Sequence, residues 1–328
     1  MTNTQYWRDK RVLVTGSTGL VGSWLCASLV AVGASVVGLV WDADPRSELF
    51  RSGTDRRMSI VNGDLADLAA VERAIVESQT DTVFHLGAQT IVGVGDELPL
   101  LTFETNIRGT YNLLEACRRH PGIVRRVVVA SSDKAYGTHT SLPYKEDFAL
   151  NGRHPYEVSK ACADMLATSY SETYRLPVAI ARFGNVYGGG DLNWSRLIPD
   201  TIRATLQGRP PVLRSNGKYV RDYVYVNDVV GAYEVLAEAL DDEHLHGEAF
   251  NFSPERPYTV LEVVETIQDL VGGTRETPIL LDTAQGEIVS QYLDSSKAKS
   301  MLGWSAGYTL KDGLTETIGW YRKFLADD

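Results

Sequence analysis

The fold is decided near the start of the chain by Val12-Leu13-Val14-Thr15-Gly16-Ser17-Thr18-Gly19-Leu20-Val21-Gly22. Its apolar run predicts a strand over residues 11–15, and a helical apolar pattern predicts a helix over 20–32. Between them, Gly16 permits a sharp turn, Gly19 permits close approach to a pyrophosphate, and Gly22 permits close helix–sheet packing. Free N–H groups at a helix start favour phosphate. We therefore predict a dinucleotide-binding turn with contacts from Gly16, Thr18, Gly19, Leu20 and Gly22.

Strand and helix patterns alternate beyond this turn. Further strands are predicted over residues 35–40, 58–61, 82–86, 126–130 and 178–182, and helices over 67–78, 99–120 and 155–175. Continuously apolar strands separated by helices are typical of a parallel sheet covered on both faces. The fold class predicted for the first half is therefore α/β, a Rossmann-type doubly wound parallel sheet.

The second half predicts a smaller C-terminal α/β domain interleaved with the first. A Gly- and Asn-rich loop is expected over residues 185–194, strands over 220–226 and 249–252, and helices over 196–207, 227–239, 259–271, 295–302 and 310–325. We find no repeat and no low-complexity linker. The predicted dinucleotide-binding domain is residues 1–181, with 220–252 returning to it, and the predicted substrate domain is 182–219 with 253–328.

Charge and composition exclude several functions. The chain has 32 Lys and Arg against 42 Asp and Glu, a net charge of −10, whereas nucleic-acid binding favours a basic surface. Three cysteines in helical patterns and no CxxC pair indicate neither a disulfide framework nor a thiolate metal site, so no metal is predicted. A polar N-terminus and the lack of a long apolar run predict no signal peptide and no membrane partner, hence a cytoplasmic protein.

The cofactor is expected to be NAD. A carboxylate about 20 residues after the glycine turn normally binds a ribose 2′-OH, and Asp42 has this position. Arg46 lies nearby and would instead meet a 2′-phosphate, so NADP is the alternative. Asp64 and Leu65 follow the third strand and are placed to touch the adenine.

The turn after the fourth strand is placed along the cofactor phosphates and ribose. Its contacts are predicted from Leu86, Ala88 and Gln89. His85, at the start of the same turn, is either a buried structural histidine or a ligand.

A hydroxyl, a tyrosine and a lysine form the predicted catalytic set. Tyr156 and Lys160 are four residues apart on one predicted helix and so share a face. An ammonium beside a phenol favours phenolate and lowers its pKa, which gives a base able to deprotonate a sugar hydroxyl. Ser132, at the end of the fifth strand, is placed to hold the same oxygen. Both Tyr156 and Lys160 are also expected to contact the cofactor.

These features together resemble the extended short-chain dehydrogenase/reductase family, which includes NAD-dependent epimerases and dehydratases. The resemblance covers essentially the whole chain and includes Arg182-Phe183-Gly184-Asn185-Val186-Tyr187-Gly188 and Arg221-Asp222-Tyr223-Val224-Tyr225-Val226. Ser132-Asp133-Lys134 with Tyr136, together with Gly188-Gly189-Gly190-Asp191 and Arg196-Leu197-Ile198-Pro199-Asp200, is most similar to CDP-glucose 4,6-dehydratases.

The resemblance implies a nucleotide-diphosphate hexose as substrate and a homodimer through the helices near Pro99 and Pro155. Asn185 should contact the sugar or its phosphates, Arg221 should clamp the diphosphate, and Arg196 is a second phosphate candidate. Leu197 is expected to lie near the base of the nucleotide. Relatives often have an Arg in the late stretch that here reads Ser290-Gln291-Tyr292-Leu293-Asp294, so the second clamp lacks its usual residue.

Three functions follow from these residues. A 4,6-dehydratase would use Asp133 to protonate the leaving hydroxyl and Lys134 to act at C5, unless these two form only a surface ion pair. A C4-epimerase would use the same Tyr156, Lys160 and NAD without them. The third and most remote alternative is a non-catalytic NAD(P)-binding protein. The intact set of Ser132, Tyr156 and Lys160 argues against it.

Overall fold

A computed structural model describes residues 3–283 and 288–327. The predicted domain ranges include residues 1, 2, 284–287 and 328, which lie outside this description. The strands are β1 Arg11–Thr15, β2 Ser35–Val40, β3 Ser59–Asn62, β4 Thr82–His85, β5 Arg126–Ala130, β6 Val178–Phe183, β7 Asn185–Tyr187, β8 Val212–Leu213, β9 Val220–Arg221, β10 Tyr223–Tyr225, β11 Ala249–Phe252, β12 Tyr258–Thr259, β13 Ile279–Leu280 and β14 Ser290–Gln291.

The helices lie between and after these strands. They are α1 Thr4–Trp7, α2 Leu20–Ala31, α3 Glu48–Arg51, α4 Leu68–Glu77, α5 Val92–Glu97, α6 Pro99–Phe103, α7 Gly109–Arg119, α8 Pro155–Tyr174, α9 Leu197–Leu206, α10 Val226–Ala239, α11 Val260–Val271, α12 Ser296–Leu302 and α13 Leu310–Asp327. A π-helical turn spans Glu104–Arg108, and 3₁₀ turns span Thr54–Arg57, Asp133–Tyr136 and Glu243–Leu245.

Seven strands form one parallel sheet in the order β11-β6-β5-β4-β1-β2-β3. Their buried, continuously apolar residues pack on one face against α2 and α10 and on the other against α4, α7 and α8. The predicted α/β fold class and doubly wound sheet are confirmed. The strand order reverses between β1 and β4, which opens a crevice at their carboxyl ends.

A separate apolar cluster holds the smaller sheets together. It joins α9, α11 and α13 to β7 and β10 through buried residues such as Ile202, Ile267 and Tyr321. The short strands pair as β7 with β10, β8 with β13, and β9 with both β12 and β14. The division of the chain into two interleaved domains, with its residue boundaries, stays a prediction. Within the described residues, no helix is both long and apolar enough to cross a membrane.

Three predicted elements were wrong in detail. The single helix over residues 99–120 is interrupted by the π-helical turn, where the Asn106 side chain turns inward to bond other segments. The loop over 185–194 begins with β7, because Asn185–Tyr187 pairs with the distant Tyr223–Tyr225. The strand over 220–226 divides into β9 and β10 at Asp222, whose side chain is fully buried, and α10 begins at Val226.

Candidate active site

The glycine-rich turn lies at the crevice between the ends of β1 and β4. Gly16 has φ of +68°, and a Cβ added there would lie 2.8 Å from Gly87. A Cβ on Gly22 would lie 2.1 Å from the Gly16 carbonyl oxygen. Gly19 is the N-cap of α2 and has no side chain with which to cap the first N–H groups of that helix. Backbone alone therefore forms this cradle, which fits the pyrophosphate of a dinucleotide.

Asn106 fastens the segment that follows β4. Its Oδ1 accepts the Gln89 N–H at 2.7 Å, and its Nδ2 donates to the Gln89 carbonyl and to Ser159 Oγ, both at 2.9 Å. The predicted cofactor contacts Leu86, Ala88 and Gln89 lie in this segment. The sequence pointed to the helix containing Asn106 but not to this role, because its partners are 17 and 53 residues away along the chain.

His85 is a structural histidine. Its two ring nitrogens lie 3.0 Å from the hydroxyls of Thr15 and Thr110, so the ring joins β1, β4 and α7. Burial and the nearby Lys160 lower the pKa of His85 to about 3, which keeps the imidazole neutral.

The predicted adenosine contacts lie at the ends of β2 and β3, away from Ser132 and Tyr156. Asp42 and Asp64 are exposed, and Asp64 accepts the Ala66 N–H at 2.9 Å. Leu65 is buried, and a Cβ on Gly87 or Gly109 would come within 3 Å of its side chain, so it packs the floor of the crevice. The guanidinium of Arg46 pairs with Asp44 at 2.9 Å. The cofactor roles of these residues stay predictions.

Tyr156 and Lys160 project from α8 beside the end of β5. Lys160 Nζ donates to the Ala130 carbonyl at 2.8 Å, and burial lowers the pKa of this lysine to about 8 against the opposing effect of Asp164. The pKa of Tyr156 is raised by burial and by Asp133, although Arg196 and a hydrogen bond with Ser132 lower it. Burial outweighs these lowering effects, and the lowering expected from Lys160, whose Nζ donates to the Ala130 carbonyl, stays a prediction.

Ser132 and Asp133 form a hydrogen-bonded pair where β5 gives way to the 3₁₀ turn. Ser132 Oγ accepts the Lys134 N–H at 3.2 Å and donates to Asp133 Oδ1 at 3.0 Å. Asp133 is 3% exposed, and within the described part of the chain its Oδ2 has no hydrogen-bond partner. Burial raises the pKa of Asp133 despite the opposing charges of Lys134 and Arg221. A raised pKa favours the protonated form of this carboxyl, which is the form that a proton donor needs.

Lys134 extends from the same turn to meet β14. Its Nζ donates to Gln291 Oε1 at 2.7 Å, and Gln291 Nε2 donates to the Asp133 carbonyl at 2.9 Å. Asp133 and Gln291 are both buried, so this arrangement does not lie at the protein surface, and the roles of Asp133 and Lys134 stay predictions. The sequence drew attention to the stretch containing Gln291 only because relatives often have an arginine there. The contacts of Gln291 could not be predicted, because its partners lie 157 and 158 residues away along the chain.

Arg221 is a buried cation held by main-chain oxygens. Its Nη1 donates to the Val220 carbonyl at 2.8 Å and the Val289 carbonyl at 3.1 Å, and its Nη2 donates to the Ile288 carbonyl. Asn185 Nδ2 lies 3.4 Å from the Asp222 carbonyl, in the neighbouring strand pair β7 and β10. The fold thus brings these two predicted substrate contacts to the same side as Asp133.

Arg196 joins the loop before α9 to the segment that follows β4. Its Nη1 lies 3.0 Å from Asp191 Oδ2, and its Nη2 donates to Thr90 Oγ1 at 3.2 Å. Its charge also acts on Tyr156. Leu197 is the first residue of α9 and packs partly buried against the apolar cluster of α9, α11 and α13.

Comparison with known proteins identifies the family. The family model described as GDP-mannose 4,6 dehydratase matches residues 13–317. The chain belongs to this family. It is similar to CDP-glucose 4,6-dehydratase of Salmonella typhimurium, with 34% identity covering 99% of this chain and 94% of the relative. The resemblance to dehydratases and epimerases of the short-chain dehydrogenase type is therefore confirmed.

Solved structures include both kinds of enzyme. UDP-glucose 4-epimerase from Thermotoga maritima, with UDP-glucose, has a TM-score of 0.87 and 28% identity, covering 96% of this chain and 99% of that one. A dTDP-glucose 4,6-dehydratase from Streptomyces venezuelae, with NAD bound, has a TM-score of 0.85 and 28% identity, covering 95% and 97%. The family's dehydratases and epimerases thus share this architecture.

Proposed function

We propose that this family member is an NAD-dependent nucleotide-diphosphate-sugar 4,6-dehydratase that produces a 4-keto-6-deoxy sugar. The observation that carries the proposal is Asp133, a buried acid with a raised pKa beside Ser132 and Lys134. Elimination of a hydroxyl from C6 requires an acid to protonate the departing oxygen, whereas inversion at C4 does not. The similarity to CDP-glucose 4,6-dehydratase supports the same choice.

NAD fits the residues at the crevice. The Gly16–Gly22 backbone and the start of α2 would hold its pyrophosphate, and Asp42 would hold a ribose hydroxyl. The pairing of Arg46 with Asp44 favours NAD over NADP, because a carboxylate beside the guanidinium opposes a 2′-phosphate. When bound, NAD would accept hydride from C4 of the sugar and return it at C6.

The chain's own residues move the protons. Tyr156 takes the proton from the C4 hydroxyl as its phenolate, a form that burial opposes and that the positive charges of Lys160 and of the nicotinamide would favour once NAD is bound. Ser132 holds that oxygen. The resulting ketone acidifies the C5 hydrogen, which Lys134 removes while Asp133 protonates the C6 hydroxyl so that it leaves as water. Lys134 returns a proton to C5 after hydride reaches C6. The sugar is thereby oxidised at C4 and reduced at C6, with the net loss of one water. The proton that Tyr156 gained balances the one that Asp133 gave up, so its passage to Asp133 restores both residues for the next cycle.

The substrate's phosphates would lie between the two arginines. Within the described residues, Arg221 uses three of its five N–H hydrogens on main-chain carbonyls, so its Nε hydrogen and one Nη2 hydrogen can donate to a diphosphate without releasing those bonds. Arg196 would be a second phosphate contact, Asn185 would contact the sugar, and Leu197 would pack near the nucleotide base.

A C4-epimerase is the second candidate function. The UDP-glucose 4-epimerase structure from Thermotoga maritima supports it, because the whole fold is shared. Ser132, Tyr156 and Lys160 suit both reactions, and Asp133 distinguishes them.

A panel of CDP-, dTDP-, UDP- and GDP-hexoses with NAD in heavy water, followed by NMR, tests the proposal. We expect a new C6 methyl group with deuterium at C5 for one nucleotide. A sugar inverted at C4, with neither methyl nor deuterium, would establish the epimerase instead. Cofactor that is bound but never reduced would indicate a non-catalytic protein.

We further propose a cytoplasmic homodimer that pairs through α6, α7 and α8. Cys26, Cys117 and Cys162 are all free thiols, which supports a reducing compartment. Leu100 and Met165 project from adjacent helices with 71% and 63% of their surface exposed, and Tyr111 is also exposed. Large exposed apolar side chains on helices that pack together suit a protein–protein interface.

A further inference from the structure

Gln291 is a fully buried amide that contacts both proposed proton-transfer residues. It lies on β14 in register with Arg221 of β9, and its side chain reaches back to the 3₁₀ turn after β5. It accepts from Lys134 Nζ at 2.7 Å and donates to the Asp133 carbonyl at 2.9 Å. A single side chain thus joins the carbonyl of one residue to the amine of the next.

Chemistry fixes the orientation of this amide. The Asp133 carbonyl only accepts hydrogen bonds, so the NH₂ group of Gln291 must face it. Oε1 then faces Lys134. This suits an ammonium, which has no lone pair and can act only as a donor. The amide is therefore anchored by one bond to the Asp133 carbonyl and holds Lys134 Nζ through the other, and both bonds have ordinary hydrogen-bond distances.

We propose that Gln291 is a positioning residue that holds the Lys134 amine for proton transfer at C5 of the sugar while leaving it able to lose its proton. This inference rests on the proposed dehydratase function. A neutral amine still has two hydrogens, so it keeps its bond to Oε1 and directs its lone pair elsewhere. A carboxylate in place of the Gln291 amide would form an ion pair with Lys134 and favour the ammonium form of that lysine.

Other charged groups also act at this place. Asp133 precedes Lys134 on the 3₁₀ turn, and Arg221 and Asp222 face Asp133 from β9 and the residue after it. Tyr144 and Tyr156 interact with Asp133 from the following loop and from α8. These groups are the same in all variants at position 291, so a difference between two such variants isolates the amide.

Gln291→Met and Gln291→Glu test the inference, with Gln268→Met as a matched control. Gln268 is also a buried glutamine whose Nε2 donates to a carbonyl, that of Glu276, but it lies on α11 away from the site. Each variant is assayed with the nucleotide hexose that the wild type dehydrates. The readouts are reduced-cofactor formation, deuterium incorporation at C5, kcat and KM against pH, and the thermal midpoint.

For Gln291→Met we expect kcat of the C5 step to fall on the order of 10- to 100-fold, with KM and cofactor reduction nearly unchanged. For Gln291→Glu we expect the pH profile of C5 exchange to move upward by about one unit or more. A wild type that dehydrates no hexose overturns the proposed function itself. An active wild type whose position-291 variants keep the profile, or lose every step together as a purely structural change would, overturns the role of Gln291 alone.

Discussion

Asp133 is the residue at which the dehydratase and epimerase mechanisms diverge. Replacing it in Asp133→Asn removes the transferable proton but keeps the shape of the side chain. We expect water loss to decrease on the order of 100- to 10,000-fold, while reduction of NAD by substrate stays detectable. NMR of the C6 methyl group and absorbance of the reduced nicotinamide measure the two steps separately.

The control for this prediction is Asp147→Asn, which removes an exposed carboxylate from the loop that follows the same turn. It should leave both steps unchanged. Full dehydratase activity in Asp133→Asn would refute the assignment of the acid.

Asp222 provides a prediction about pH and stability. Burial, reinforced by Asp133, raises the pKa of Asp222 to about 7, well above its value in an unfolded chain. Between about pH 4 and about pH 7 the folded protein therefore retains a proton that the unfolded chain has released, and stability is lost as pH rises. Asp222→Asn should lack this loss, so its stability relative to wild type should rise between about pH 5 and about pH 8. Urea unfolding of both proteins at these two pH values measures the difference. If the free energies of unfolding of wild type and variant changed with pH in the same way, the prediction would be contradicted.

Local spacing explains which residues could be predicted. Tyr156 and Lys160 are one helical turn apart, so the sequence places them on the same face of a helix. Ser132, Asp133 and Lys134 directly follow an apolar strand, so the sequence places them at the end of that strand. Asn106 and Gln291 could not be found in this way, because their partners are brought close only by the fold. The upward pKa shift of Tyr156 was also missed, since burial cannot be read from spacing.

At the scale of elements, the junction of β1 and α2 depends on the lack of a side chain at Gly22. In Gly22→Ala the new Cβ would lie 2.1 Å from the Gly16 carbonyl oxygen and 2.8 Å from Ser17 Cα, both main-chain atoms. We expect the free energy of unfolding to fall by about 1–3 kcal/mol, together with weaker NAD binding. Urea unfolding and titration with NAD check both effects.

Gly319→Ala is the matched helix control. Gly319 lies within α13, and apart from its chain neighbours and the backbone of its own helix no described atom lies within 4 Å of the Cβ that alanine would add. Because alanine favours helix more than glycine does, this variant should gain about 0.5–1 kcal/mol and bind NAD normally. Equal losses in both variants would mean that close packing at Gly22 is not the cause.

Elements whose residues carry their own signal were predicted within one or two residues, as β1, β5 and α8 illustrate. Those that depend on distant pairing were not. β7 is held by β10, and the π-helical turn follows from bonds that Asn106 makes to Gln89 and Ser159. The alternating pattern of residues 220–226 gave no sign that burial of Asp222 would divide the strand.

At the scale of the whole molecule, strand alternation and one glycine motif were enough for the sheet and its crevice. Parallel strands need long crossovers, and the regular helices between them leave few other arrangements. The smaller sheets were less predictable because each pairs strands of only two or three residues from distant parts of the chain. Those pairings nevertheless bring Asn185, Arg221 and Gln291 to the site.

The apolar surface of α6 and α8 gives the last prediction. If it pairs two copies, Leu100→Glu combined with Met165→Glu places charges in a buried interface and should convert the dimer to a monomer, as light scattering after size exclusion would measure. Met301→Glu is the control, because Met301 is 51% exposed on α12, outside this surface. It should leave the mass unchanged. A wild type that is monomeric, or a double variant that remains dimeric with intact circular dichroism, would show that these helices do not form the interface.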